Sequence, residues 1–255
     1  MNEQNLLSEA QAVNNGLKHF CFDIETGLAP QADIDQVVAE WKPGKNLKDP
    51  DTITKYRVEH AAKVQENSAL LDRAPIMCIA IATEAGNIVF SCIPTKCPVA
   101  RMPMVDAEIR NFGSEKAMLI ELREWIAERV SEATTLIGFN IYGFDLPKLR
   151  NAYIRHKLQV PAALVPDGNP CYDVMAKFTK SFTTEFYKQP FIKLKTVQSR
   201  LGLPEYKEVI NGADAPKLAA AGQDKLVIPY CYLDAMTTYL AYLYMTGQIE
   251  DSKGA

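Results

Sequence analysis

Asp23 and Glu25 stand two residues apart in LKHFCFDIET, residues 17–26, a run that reads as a β-strand. Alternate side chains of a strand leave the same face, so the two carboxylates point one way while Phe22 and Ile24 point the other. Side by side they repel each other, and a buried pair does not stay doubly ionised without positive charge. A divalent cation supplies that charge, and hard oxygen ligands suit Mg²⁺ or Mn²⁺ rather than zinc or copper. Asp106 and Glu108 share the spacing, but they lie in a stretch with no convincing strand and read as a solvated surface pair.

Two further groups carry acidic chemistry. In IPYCYLDAMTTYL, Tyr230 and Asp234 are four apart and so one turn apart on one face of a helix. A phenol beside a metal-holding carboxylate can orient an attacking water; the plain alternative is a core tyrosine near a capped or exposed aspartate. Pro229 agrees with a helix that starts there and would kink one that starts near Asp224. In GFNIYGFDLP, residues 138–147, Asp145 follows an apolar strand and opens a helix with Pro147 in its first turn. An N-cap explains that aspartate as well as catalysis does, and Asn140 can be a turn former alone. Each group is ambiguous by itself.

Their order and spacing are more specific. FDIET, NIYGFD and YCYLD resemble the three exonuclease motifs of the DEDD superfamily of 3′–5′ exonucleases. Nearest in kind are the proofreading domain of family B DNA polymerases and stand-alone phage and bacterial relatives. Superfamily members with a general-base histidine carry it five residues before the last aspartate, where Pro229 stands here, so the chain resembles the tyrosine subclass. The resemblance implies a two-metal site, with Mg²⁺ or Mn²⁺ held by Asp23, Glu25, Asp145 and Asp234. It implies that Asp23 bridges both ions, that Glu25 and Asp234 complete the first, and that Asp145 serves the second. Tyr230 would orient the water, and Thr26, Leu28, Asn140 and Phe144 would border the terminal nucleotide.

The elements that must position these residues follow from periodicity. Strands are expected at 17–26, 77–84, 87–93, 134–140 and near 171–176. Helices are expected after Asp49-Pro50, at 115–130, 145–158, near 194–201 and at 229–246. MCIAIATE and NIVFSCI, parted by Ala85-Gly86, suggest an antiparallel hairpin. The resulting α/β architecture is a mixed five-stranded sheet flanked by helices, matching the RNase H-like fold of the resembled superfamily. A single domain is expected over 17–247, with a partly helical insertion at 28–75 and flexible ends at 1–16 and 248–255.

With 255 residues, 47% hydrophobic and 23% charged, the chain has the composition of a soluble globular protein. A net charge of −3 excludes a wholly basic surface but not a local nucleic-acid groove. Residues 177–200 hold five lysines and one arginine against Glu185, with Phe178, Phe182, Phe186, Tyr187 and Phe191 interleaved. That pattern can track phosphates and stack on bases, or be a core with a solvated face. Arg150, Arg155, His156 and Lys157 read as plain surface. No apolar run reaches membrane length, and the N-terminus lacks the order of a secretory signal. Six cysteines without a CxxC pair read as reduced thiols. The expectation is a cytoplasmic 3′–5′ exonuclease acting on single-stranded or frayed DNA, with a separate polymerase or repair protein as a partner. The alternatives are an exoribonuclease of the same fold and a non-catalytic nucleic-acid-binding or polymerase-accessory protein.

Overall fold

The computed structural model describes residues 16–94, 105–182, 191–204, 210 and 212–249. Its sheet is built outward from β1 (His19–Thr26). On one side lie β2 (Ile76–Thr83) and β3 (Gly86–Ser91), each antiparallel to its neighbour, and then β4 (Glu108–Asn111), parallel to β3. On the other side β5 (Thr135–Gly138) and β6 (Cys171–Asp173) both run parallel. The strand order is β4-β3-β2-β1-β5-β6. Helices cover both faces, as in an RNase H-like fold.

Six strands are present among the described residues, not five. The addition is β4, in the stretch where no strand was expected. Its sequence EIRN lacks apolar alternation; it completes the outer edge of β3, and Arg110 ties it down through Glu108 and Glu121. Asp106 and Glu108 are both exposed, as a surface pair should be.

The helices are α1 (Gln31–Glu40), α2 (Pro50–Glu66), α3 (Glu115–Arg129), α4 (Asp145–Arg155), α5 (Val174–Ser181), α6 (Leu194–Arg200), α7 (Ala215–Ala220) and α8 (Asp224–Met245). Asp49 caps α2 through the Thr52 amide, with Pro50 in the first turn, as the sequence predicts. Along α2 only Val64 is buried, Tyr56 is exposed, and Leu71 lies beyond the helix. α1 was not anticipated, and the strand expected over 171–176 stops at Asp173, whose carboxylate caps α5. α8 begins at Asp224 and runs through Pro229. A proline inside a helix costs about 3 kcal/mol. Burial of Val227, Ile228, Cys231 and Ala235 against the sheet offsets that cost.

Alternation along β1 divides the core. Phe20, Phe22 and Ile24 join Ile79 and Ile81 beneath α3 and α4, packing on Leu122, Trp125 and Leu149. Cys21 faces the opposite side, where its thiol meets the Ala235 carbonyl of α8 at 3.5 Å. Asp23 and Glu25 share that face by strand parity. Their cross-strand partners on β2, Ala80 and Cys78, are small and let α8 lie close. Among the described residues no helix is long and apolar enough to cross a membrane.

Candidate active site

β1 pairs with β5 only from His19 to Cys21, so its last residues diverge from β5 beside the turn that leads to α4. The β1–β2 register also shifts between Glu25 and Thr26. Bulges of this kind re-aim side chains and are common beside functional sites. Asp23 and Glu25 lie in this opened corner, at the carboxyl end of a strand, where α/β sheets place their ligands.

α8 brings Asp234 to the same place. One carboxylate oxygen from each of Asp23, Glu25 and Asp234 lies within 4.8 Å of the other two. Burial, then the nearby carboxylates of Asp234, Asp145 and Glu25, pushes the Asp23 carboxyl well above the usual range. Glu25 rises for the same reasons: burial first, then Asp234 and Asp145. Such a cluster favours bound protons or a bound cation. Asp23 Oδ2 is buried without a hydrogen-bond partner, an acceptor left open toward a cation. The oxygen donor set and this orphaned atom together fit a hard divalent ion.

Asp145 stands at the first position of α4, following Phe144 at the N-cap, and is buried. Burial raises its carboxyl, while hydrogen bonds from its own amide and the Ile24 amide oppose the rise. Because β5 has left β1 by that point, the Asp145 carboxylate takes the place of a strand partner on the open edge. It lies close enough to raise Asp23 and Glu25 electrostatically, yet outside the trio of mutually close oxygens.

The Tyr230 phenol hydrogen-bonds Asp234 one turn along α8. Burial and then the Asp234, Glu25 and Asp23 carboxylates drive its ionisation far above the ordinary value, so the phenol stays neutral. Below it sits Gly212, where an added Cβ would come 2.6 Å from the Tyr230 oxygen. Cys231, the next residue on α8, gives its thiol to the Asp23 carbonyl at 3.4 Å and also contacts Cys78.

Thr26, Leu28, Asn140 and Phe144, the residues expected near a terminal nucleotide, lie in different surroundings. Thr26 is buried and its hydroxyl donates to the Ala69 carbonyl at 3.2 Å, so that hydroxyl is engaged by the segment before β2. Leu28 is exposed. Asn140 adopts φ +58 and folds its side chain over Gly143, where a Cβ would lie 2.5 Å from Oδ1. Its carbonyl accepts the Gly143 and Phe144 amides, which makes it the turn that delivers Asp145. Phe144 packs against the main core, with the Lys148 ammonium 5.6 Å from its ring centre. Asp173 holds the Asn140 amide and caps α5, a structural role.

Sequence reasoning missed Gly212 and Lys148. Lys148 is buried and donates to the carbonyls of Ala69, at 3.0 Å, and Leu71, joining α4 to the segment before β2. Neither residue carries a local signal, because each partner is distant along the chain. Of the basic helix, Arg155 and His156 pair with Glu115, and Arg150 donates to the Leu164 carbonyl. The aromatic-basic run at 177–200 lies partly outside the described residues, over 183–190. Of its described part, Phe178 is buried and Phe182 and Phe191 are exposed.

Residues 96–253, more than half of the chain, match a family described as a predicted 3′–5′ exonuclease related to the exonuclease domain of PolB. The matched stretch contains Asp145, Tyr230 and Asp234, whereas Asp23 and Glu25 precede it and join the group through the fold. No curated protein matches the sequence.

Proposed function

Because this chain belongs to the family of predicted 3′–5′ exonucleases related to the exonuclease domain of PolB, we propose that it removes nucleotides from the 3′ end of single-stranded or frayed DNA, with Asp23, Glu25, Asp145 and Asp234 as its metal-holding carboxylates. The observation that carries this reading is the meeting of Asp23, Glu25 and Asp234 oxygens within 4.8 Å, in a group where Asp23 also has a buried oxygen without a hydrogen-bond partner. Asp23, Glu25 and Asp234 would hold one Mg²⁺ or Mn²⁺, and Asp145, set slightly apart, would help to hold a second. When bound, such ions neutralise phosphate charge and make water a competent nucleophile near neutral pH.

The remaining work falls to the chain itself. Tyr230, kept neutral by its carboxylate neighbours, can orient a water by hydrogen bonding but cannot abstract its proton as a phenolate. The amides of Ile24 and Asp145 fix the Asp145 carboxylate, so one acid is pre-positioned before substrate arrives. Gly212 lets the tyrosine reach its place. The products would be 5′-nucleoside monophosphates. A cytoplasmic setting accords with the free state of Cys21, Cys78, Cys92, Cys171 and Cys231, and a separate polymerase or repair protein would supply synthesis.

The test is a degradation ladder on single-stranded DNA labelled at either end, with Mg²⁺ or Mn²⁺ and with EDTA, beside a matched RNA. The 5′-labelled strand should shorten one nucleotide at a time, the 3′ label should leave at once as a mononucleotide, and EDTA should stop both. Internal cuts, or no shortening with either metal, would refute the reading. Faster loss of the RNA would reassign the substrate.

A further inference from the structure

Between the 41–47 loop and α2 lies a cleft of about 630 Å³ that the carboxylate site does not use. Trp41, Tyr56 and His60 line it together with Lys42, Lys45 and Lys63. Tyr56, His60 and Lys63 fall on one face of α2 by their spacing. Tyr56 is 46% exposed, while Trp41 stacks on His60 at 6.0 Å and carries the Arg57 guanidinium 5.9 Å from its ring centre. Glu59 is the acid of the lining among the described residues. Over residues 41–63 six lysines and arginines face three acids, in a chain whose net charge is −3. Positive charge is thus gathered on residues 41–63, around the cleft, within an otherwise acidic chain.

Packing does not account for this helix. Of its seventeen residues, Val64 alone is buried. Val64 sits with Ala29, Ile34 and Ala74 in the small core that roots the insertion. The root itself is bound to the carboxylate corner: Gly27 donates to the Pro75 carbonyl, Thr26 to Ala69, and Lys148 to Ala69 and Leu71. His60 and Tyr56 are four and eight residues from Val64, or about 6 and 12 Å along the helix. The cleft therefore stands one to two turns along α2 from the small core that roots the helix.

We propose that this cleft is a second binding site for single-stranded DNA, gripping the strand away from its 3′ end. Lysines placed around aromatic rings, with Tyr56 exposed and Trp41 and His60 half-buried, follow phosphates while a base stacks, a mode indifferent to sequence. A volume in the range of small-molecule sites admits a nucleotide unit. The proposal deepens the exonuclease reading and rests on it for the identity of the strand.

Binding of 5′-fluorescein dT20 to the full chain in EDTA, read by anisotropy, tests it without turnover. The wild-type chain should bind. Lys42→Glu/Lys45→Glu should weaken binding at least about tenfold and flatten its salt dependence. Tyr56→Ala, at an exposed position, should weaken it about fivefold or more. Lys18→Glu/Lys116→Glu, exposed and with the same change in charge, should do far less. No binding of dT20 by the wild-type chain, no loss in either cleft variant, or an equal loss in the control would overturn the proposal. Nucleotide release from dT4 with Mn²⁺ by the wild-type chain is scored separately. Loss of dT20 affinity without any such release would uphold the cleft and remove the exonuclease reading; release with unaltered dT20 affinity in the variants would do the reverse.

Discussion

Gly212 leaves room for the Tyr230 hydroxyl, and a Cβ at 212 would approach that oxygen to 2.6 Å. The clash would fall on the far end of a side chain, which can swing aside. Gly212→Ala is therefore expected to change stability little and to cost activity, by about 10- to 100-fold in kcat if the tyrosine is displaced by about 1 Å. Kinetics alongside thermal melting check this. An undiminished kcat would mean that the position of Tyr230 does not matter to the reaction.

Tyr230 and the carboxylates should differ in kind. Asp23→Ala or Asp234→Ala removes a donor from the close trio, and the rate is expected to fall by about 10³-fold or more. Tyr230→Phe keeps every carboxylate and should retain a residual rate, down about 10- to 100-fold. Equal losses in all three variants would count against a water-orienting role for the tyrosine.

Asp23, Glu25 and Asp145 have carboxyls raised in the fold, first by burial. Their unfolded values lie near about 4. Groups raised in this way add stability that is complete below the unfolded value and is lost as pH climbs through the folded value. The metal-free protein should therefore melt at progressively lower temperature from pH 5 to pH 8. Mn²⁺ should raise the melting temperature more at pH 8 than at pH 5, because it replaces the missing positive charge. A melting temperature that rises with pH in EDTA would contradict the charge arrangement.

Asp23→Asn should separate stability from activity. It removes one of the mutually repelling charges, so at pH 8 in EDTA the variant is expected to melt above the wild type while its exonuclease rate collapses. Lower stability in EDTA would show that repulsion at this position is already relieved by protonation.

Lys148 ties α4 to residues 69–71 through two carbonyls. Burial, the leading cause, holds its pKa down to about 8, so the ammonium persists at pH 7. Lys148→Met leaves both carbonyls without that donor and should cost about 2 kcal/mol in denaturant unfolding. It should also loosen the insertion, seen as faster amide exchange around 69–71. No change in exchange there would mean that the root is held by Thr26 and Gly27 alone.

What the sequence determined by itself is local: which residues share a face. Period two placed Asp23 with Glu25 on β1, and a four-residue step placed Tyr230 with Asp234 on α8; these relations survive any packing of the elements. The hairpin, the Asp49 cap and the helix after Asp145 were legible for the same reason. Tertiary structure decided which faces meet. It set Asp234 against Asp23 and Glu25, gave the Asp145 carboxylate an amide on an edge that β5 abandons, and seated Gly212 under Tyr230. It also recruited EIRN as a sixth strand and carried α8 through Pro229, because an unpaired sheet edge and a large apolar interface outweigh weak local preferences. Contacts between residues distant along the chain leave no periodic trace in it, and they are what turns scattered acids into a site.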